Sequence, residues 1–384
     1  MRFEFATAGR ILFGPGRLTE VGELAAGFGP RALLVTGSNT ERAEPVVRSL
    51  AAAGVGWVSL AIAHEPTTED VRRGVTLART EGCSQAIGFG GGSPMDAAKA
   101  IAALLTNGGD PLDYLEVIGA GQSLTKASAP CIAVPTTAGT GTEATRNAVI
   151  LSPEHCVKVS LRGAGMLPEI ALVDPELCLS LSPEVTASTG LDALTQLIEP
   201  FVSSRASPMS DAFAREGIRR IARSLRRAYD HGDDRAARED MSLAAMFSGL
   251  SMANAGLGSV HGFAAVIGGM TSGPHGVVCA ALLPHAMRVN VEALRQRAPE
   301  SESLRRYAEI GRLLTGSQSA GAEEAMAYVE ALCAALHVPS LATFGVQRSQ
   351  LPVILDKSAV SSSMKANPIA LTRDEMEAIV LGAI

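Results

Sequence analysis

Ile87-Gly88-Phe89-Gly90-Gly91-Gly92-Ser93-Pro94-Met95-Asp96-Ala97-Ala98-Lys99 is the stretch that decides the fold. The apolar run 85–89 enters three consecutive glycines, and a helical pattern follows. Ser93 reads as an N-cap, Pro94 as the first helical residue, and Asp96, three after the cap, comes close to a capping box. A strand that turns through glycine into a helix offers free backbone N–H groups and a positive helix end, which together suit a phosphate or pyrophosphate. A plain strand–turn–helix connection does not need three glycines in a row.

Outward from this turn, short apolar runs recur. Residues 32–36, 56–60, 131–134 and 170–173 read as strands, all but 56–60 stopping at glycine, proline or aspartate, with helical patterns between several of them. That alternation predicts a largely parallel sheet with helices on its faces. A second loop, Gly139-Thr140-Gly141-Thr142-Glu143-Ala144, matches GxGxxA, but residues 145–151 read as extended. The fingerprint requires a helix there, so 135–143 is read instead as a ligand-contacting loop rich in hydroxyls and free amides. After Leu181 the texture becomes helical. Ile218, Ile221, Ala222 and Leu225 form an apolar stripe, with Arg219, Arg220, Arg223, Arg226 and Arg227 opposite, read as a solvated face partly neutralised by Asp230, Asp233 and Asp234. The expected architecture is an α/β domain over 1–180 followed by an all-α domain over 181–384.

At 384 residues the chain suits about two domains of roughly 150 residues each. Lys+Arg is 33 and Asp+Glu is 39, a formal net charge of −6, with no long basic stretch. This excludes non-specific nucleic-acid binding. No run of 18 uncharged apolar residues exists, and the N-terminal stretch carries charges where a signal peptide needs its apolar core. A cytoplasmic protein without a membrane span is expected. Cys83, Cys131, Cys156, Cys178, Cys279 and Cys333 form no CxxC pair and read as buried free thiols in a reducing compartment.

Chemistry-bearing residues concentrate in the second half. Asp192 and Gln196 are four apart in a helical pattern and share one face. His261 follows Gly256-Leu257-Gly258, and His275 lies in Gly273-Pro274-His275-Gly276. One carboxylate and two imidazoles suffice for a catalytic divalent metal with an open position. The competing reading is hydrogen-bonded core histidines, and His285 is read that way.

Taken together, these motifs resemble the iron-containing (group III) alcohol dehydrogenase family. The likeness runs along essentially the whole chain: Arg10 to Gly16, Gly90 to Ser93 with Asp96 and Lys99, Pro135 to Gly141, Val173-Asp174-Pro175, Gly190 to Leu194, Gly256 to Gly258, Pro274 to Gly276, and Asn367-Pro368. The resemblance implies a dinucleotide-binding α/β domain, an all-helical domain, an active site in the cleft between them, and a homodimer. It implies that Gly90, Gly91, Gly92 and Ser93 cradle the pyrophosphate, with Asp96 in the same motif. Thr136, Thr137 and Thr140 would line the cofactor, with Lys158 near it. It also implies a metal, Fe²⁺ or Zn²⁺, on Asp192, Gln196, His261 and His275.

Three positions depart from the family pattern. Gln196 stands where the family has a histidine, a neutral and weaker ligand. Ala265 stands where many members have a further histidine near the reacting oxygen. Gly37, followed by Ser38, Asn39 and Arg42, stands where NAD-preferring members carry a ribose-binding aspartate. Losing that carboxylate removes repulsion of a 2′-phosphate, so NAD and NADP both stay open. The implied activity is NAD(P)-dependent interconversion of a small alcohol with its aldehyde or ketone, with metal-assisted hydride transfer and Asp192, His261 and His275 at the catalytic centre. The alternatives are a metal-independent, maleylacetate reductase-like oxo-acid reductase, a dehydroquinate synthase-like lyase and a non-catalytic nucleotide-binding protein. The absence of Lys and Arg between 251 and 285 counts against the lyase.

Overall fold

A computed structural model describes residues 2–155, 157–271 and 273–384, so Cys156 lies outside the described residues. The chain divides into two compact units. The first spans Thr7–Thr137 and Gly141–Leu179. It contains β1 (Arg10–Phe13), β2 (Arg31–Thr36), β3 (Gly56–Ala61), β4 (Gln85–Gly90), β5 (Cys131–Pro135), β6 (Asn147–Ser152), β7 (Val157–Arg162) and β8 (Ile170–Val173). Six strands form one sheet in the order β1-β8-β5-β4-β2-β3, with every pair parallel. β6 and β7 form a separate antiparallel hairpin.

Period-two alternation along the buried strands divides the core. Leu33 and Val35 of β2 point to one face, with Val71 and Ile101 from the helices Thr68–Thr80 and Gly92–Asn107. Ala32 and Leu34 point to the other, with Val21, Ala25, Val46 and Leu50 from the helices Val21–Ala26 and Glu44–Ala52. Because both faces are covered, the strands need continuous apolar runs, and this makes them visible in the sequence. β3 lies on one side of β2 and β4 on the other. The strand order therefore reverses between β2 and β4, and the crevice beyond their carboxyl ends is where open α/β sheets bind ligands.

One local reading changes and one holds. The helix after the glycine turn begins at Gly92 with Gly91 as its N-cap, so Ser93 and Pro94 lie in the first turn. Gly90, at φ +155°, adopts a backbone conformation that side chains rarely allow, and the helix starts two residues earlier than expected. The GxGxxA loop leads into a three-residue 3₁₀ turn, Thr142–Ala144, and then β6, so no helix follows it.

The second unit comprises the segment ending at Ala6, Ala138–Thr140 and Ser180–Ile384. It is helical among the described residues. Its first helices, Pro183–Val202, Pro208–Asp230 and Arg235–Ala255, start at Ser182, Ser207 and Asp234, whose side chains accept backbone N–H bonds. Ser259–Met270 and His275–Arg297 follow. The last is long and apolar enough to cross a membrane, but 78% of the relevant window is buried inside the protein. Ile218, Ile221 and Leu225 are buried, as their spacing predicts. The arginines opposite are largely ion-paired: Arg220 and Arg223 with Asp240, Arg226 with Asp230, and Arg227 with Asp234.

Candidate metal centre

Asp192 lies in the middle of the Pro183–Val202 helix and is 2% exposed. His261 occupies the first turn of Ser259–Met270, and His275 opens His275–Arg297. A glycine sets the last of these positions. A Cβ on Gly276 would lie 2.4 Å from the Ser188 carbonyl oxygen, so only glycine lets this helix end rest on the Asp192 helix one turn before Asp192. The result places Asp192 Oδ1 3.5 Å from His261 Nε2 and 3.8 Å from His275 Nε2.

A fourth donor, one that sequence reasoning missed, completes the cluster. Cys279 lies one helical turn after His275, with Sγ 3.6 Å from His275 Nε2 and 3.8 Å from His261 Nε2. The four donor atoms all lie within 4.8 Å of one another. A tetrahedral centre with metal–nitrogen bonds of ~2.05 Å and a metal–sulfur bond of ~2.3 Å has edges of about 3.3–3.6 Å. The observed separations match that scale. Asp192 Oδ1 is buried without a hydrogen-bond partner, a costly state for a carboxylate oxygen that a cation would relieve. The residues fit a divalent metal.

The surrounding groups orient the donors. Glu199, seven residues after Asp192 on the same helix face, places Oε2 2.7 Å from His261 Nδ1 and accepts Val260 N–H through Oε1 at 2.7 Å. With Nδ1–H donated to Glu199, the Nε2 lone pair of His261 is left for the cluster. Asn367 accepts Ser259 N–H and is itself held by Asn290, which gives the C-terminal Asn367-Pro368 motif a structural role. Burial would raise the Asp192 pKa, but the neighbouring imidazoles of His261 and His275 outweigh it and hold the carboxyl below its ordinary range. Burial likewise opposes ionisation of Cys279, and the two histidines more than offset it. Cys279 drives the His275 pKa up to about 9. Gln196 is buried, with Oε1 on the Ser248 hydroxyl at 2.9 Å. Ala265, one turn after His261, is exposed.

The proposed cofactor residues gather at the carboxyl ends of three adjacent strands of the α/β unit. Gly37 and Ser38 follow β2, Gly90 to Ser93 follow β4, and Thr136 and Thr137 follow β5. Thr136 N–H donates to the Gly90 carbonyl at 2.8 Å. A Cβ on Gly91 would lie in ordinary contact with Thr137, at 3.5 Å. The backbone edge at the sheet's switch point fits a dinucleotide pyrophosphate. Three other positions are engaged elsewhere. Asp96 pairs with Lys99 at 3.2 Å and accepts Val149 N–H of β6 at 3.0 Å. Lys158 pairs with Glu65 at 3.2 Å, and Arg42 donates to the Leu177 carbonyl. Thr140 groups with the helical unit.

Comparison with known proteins bears on both units. The family profile described as iron-containing alcohol dehydrogenase matches residues 8–175, and the profile described as Fe-containing alcohol dehydrogenase family, C-terminal, matches residues 186–384. The chain is 34% identical over 387 residues to a 1,3-propanediol dehydrogenase of Klebsiella pneumoniae, covering 98% of this chain and 97% of that one. It is 32% identical to an NAD-dependent methanol dehydrogenase of Bacillus methanolicus, over 97% of each. A crystal structure of 1,3-propanediol oxidoreductase superposes with a TM-score of 0.93 at 32% identity, covering 100% of both chains. Sulfoacetaldehyde reductase from Bifidobacterium kashiwanohense in complex with NAD+ superposes at 0.87 with 26% identity, covering 100% of this chain and 99% of that one. The chain belongs to the iron-containing alcohol dehydrogenase family.

Proposed function

We propose that this chain is an NAD(P)-dependent oxidoreductase that interconverts a small alcohol with its aldehyde or ketone. The observation that carries the reading is the orphaned Asp192 Oδ1, buried between two imidazole nitrogens. Asp192, His261 and His275 would hold the metal, while Gly90 to Ser93, Thr136 and Thr137 would hold the dinucleotide. Once bound, the cation supplies a Lewis acid that polarises the substrate oxygen, and the nicotinamide accepts or donates the hydride.

The chain's own residues perform the remaining work. Glu199 fixes the His261 tautomer through Nδ1–H. Asp192 stays anionic despite its burial. Ala265 has no titratable atom, so this position offers no proton relay, and a proton released from the alcohol would move through water, a ribose hydroxyl or a neighbouring threonine. The relatives' names speak of propanediol, methanol and sulfoacetaldehyde, and we assign this chain the same broad class, small alcohols and aldehydes. The scattered cysteines, with no CxxC pair, fit a reducing, cytosolic setting, and we assign a homodimer on family resemblance.

Turnover of a panel of alcohols, aldehydes and oxo acids with NADH and NADPH, before and after chelation, tests this reading. Activity lost on chelation and restored by Fe²⁺ or Zn²⁺ is expected. Full activity in the metal-free chain would favour the metal-independent reductase. Nucleotide binding without turnover would favour a binding protein.

A further inference from the structure

The family pattern leaves this chain one imidazole short, because position 196 is glutamine. We propose that Cys279 supplies the missing donor, so that the centre is an Asp192–His261–His275–Cys279 set with one thiolate. This rests on the reading that Asp192, His261 and His275 hold a divalent metal.

Geometry carries the assignment. Cys279 and His275 share a helix face at i, i+4, so the backbone that delivers one ligand also delivers the other. Cys279 Sγ is fully buried and faces both Nε2 atoms at 3.6 and 3.8 Å, close to the edge expected for a shared tetrahedral centre. Asp192 Oδ1, a buried oxygen without a hydrogen-bond partner, belongs to the same group of donors. The Gln196 amide oxygen, by contrast, is already engaged by the Ser248 hydroxyl. On ligation the thiol proton passes to solvent as the sulfur–metal bond forms, and no electron is transferred. A thiolate moves the set toward softer cations, favouring Zn²⁺ or Co²⁺ over Fe²⁺ relative to an all-imidazole-and-carboxylate set.

Cobalt substitution of the full chain separates this proposal from the reading beneath it. Metal is removed by chelation, and the protein is titrated with Co²⁺. Visible d–d absorption reports that a metal site exists, and near-ultraviolet sulfur-to-cobalt charge transfer reports the thiolate. Both are expected in the wild type. Cys279→Ser is expected to keep the visible bands, lose the near-ultraviolet band and weaken cobalt affinity by at least about tenfold. Gln196→Leu is expected to keep both bands. Visible bands without charge transfer in the wild type, or charge transfer that survives Cys279→Ser, would overturn the Cys279 assignment and leave the metal site standing. No visible bands in the wild type would overturn both. X-ray absorption of the zinc-loaded wild type needs no variant. One sulfur neighbour at about 2.3 Å supports the proposal, and a shell of nitrogen and oxygen alone at about 2.0–2.2 Å overturns it.

Discussion

Glu199 Oε2 lies 2.7 Å from His261 Nδ1, while the other oxygen of the same carboxylate receives Val260 N–H. One side chain thus caps the helix that carries His261 and fixes the tautomer of its ring. Outer partners of this kind typically change metal affinity by about 10–100-fold. Glu199→Ala is expected to weaken metal retention by that amount, measured by chelator competition. Glu199→Gln keeps an acceptor for Nδ1–H and is expected to lose less. Equal affinity in all three proteins would remove Glu199 from the centre's support.

Gly276 offers a steric test. Its missing Cβ leaves room for the Ser188 carbonyl, which would otherwise sit at 2.4 Å. Backbone cannot yield as a flexible side chain can, so the two helices must separate. Overpacking of this kind costs about 1–3 kcal/mol. Gly276→Ala is expected to lower the denaturant midpoint accordingly and, by displacing His275 and Cys279 together, to weaken metal binding as well. A stability loss with unchanged metal affinity would show that the cluster tolerates the shift.

What the sequence discloses depends on how local the signal is. Strands β2, β4, β5 and β8 are legible because burial on both faces forces uninterrupted apolar runs. β1 is four residues long and begins with an exposed arginine, so it could be recognised only through the family motif that contains it. Asp192, His261 and His275 are legible through spacing and glycine context, yet their convergence depends on contacts more than 60 residues apart. Cys279 is not legible from the spacing of the cysteines among themselves. Its informative spacing is four residues from His275, and that spacing acquires meaning only once a helix is known to start there. Asp96 shows the opposite error. A position that suggested a cap at the ligand edge turns inward to Lys99 and β6.

That buried pair makes a third test. The Lys99 ammonium is fully buried and donates to the Thr142 carbonyl and Thr145 Oγ1 at 3.0 Å each, to the Asn147 carbonyl at 2.5 Å, and pairs with Asp96. It ties the glycine-turn helix to the 142–147 loop and the β6–β7 hairpin. Lys99→Met leaves the Asp96 carboxylate and two carbonyls without it. Breaking a buried pair from one side costs about 3–5 kcal/mol, and unfolding by denaturant should show a loss of that size. Asp96→Asn combined with Lys99→Met should cost less than the sum of the two changes. Simple additivity would mean that the two side chains act independently.

Glu143, in the loop that mimics a dinucleotide fingerprint, links stability to pH. It is 2% exposed, and its Oε2 has no hydrogen-bond partner among the described residues. Burial pushes its pKa from the ordinary 4.5 up to about 7, with only partial opposition from its own backbone N–H and Lys99. The folded state therefore holds this proton more tightly than the unfolded chain does. The resulting stability is fully present below the ordinary value and is lost as pH rises toward about 7. The loss amounts to about 3 kcal/mol at most, at roughly 1.4 kcal/mol per pH unit. Glu143→Gln keeps the shape and cannot ionise, so its melting temperature should fall less than that of the wild type between pH 5 and pH 8. The two proteins should differ most at the alkaline end, where wild-type Glu143 is charged and buried. Parallel melting curves across that range would mean that the carboxylate is solvated or paired when charged, and that its burial carries no titration penalty.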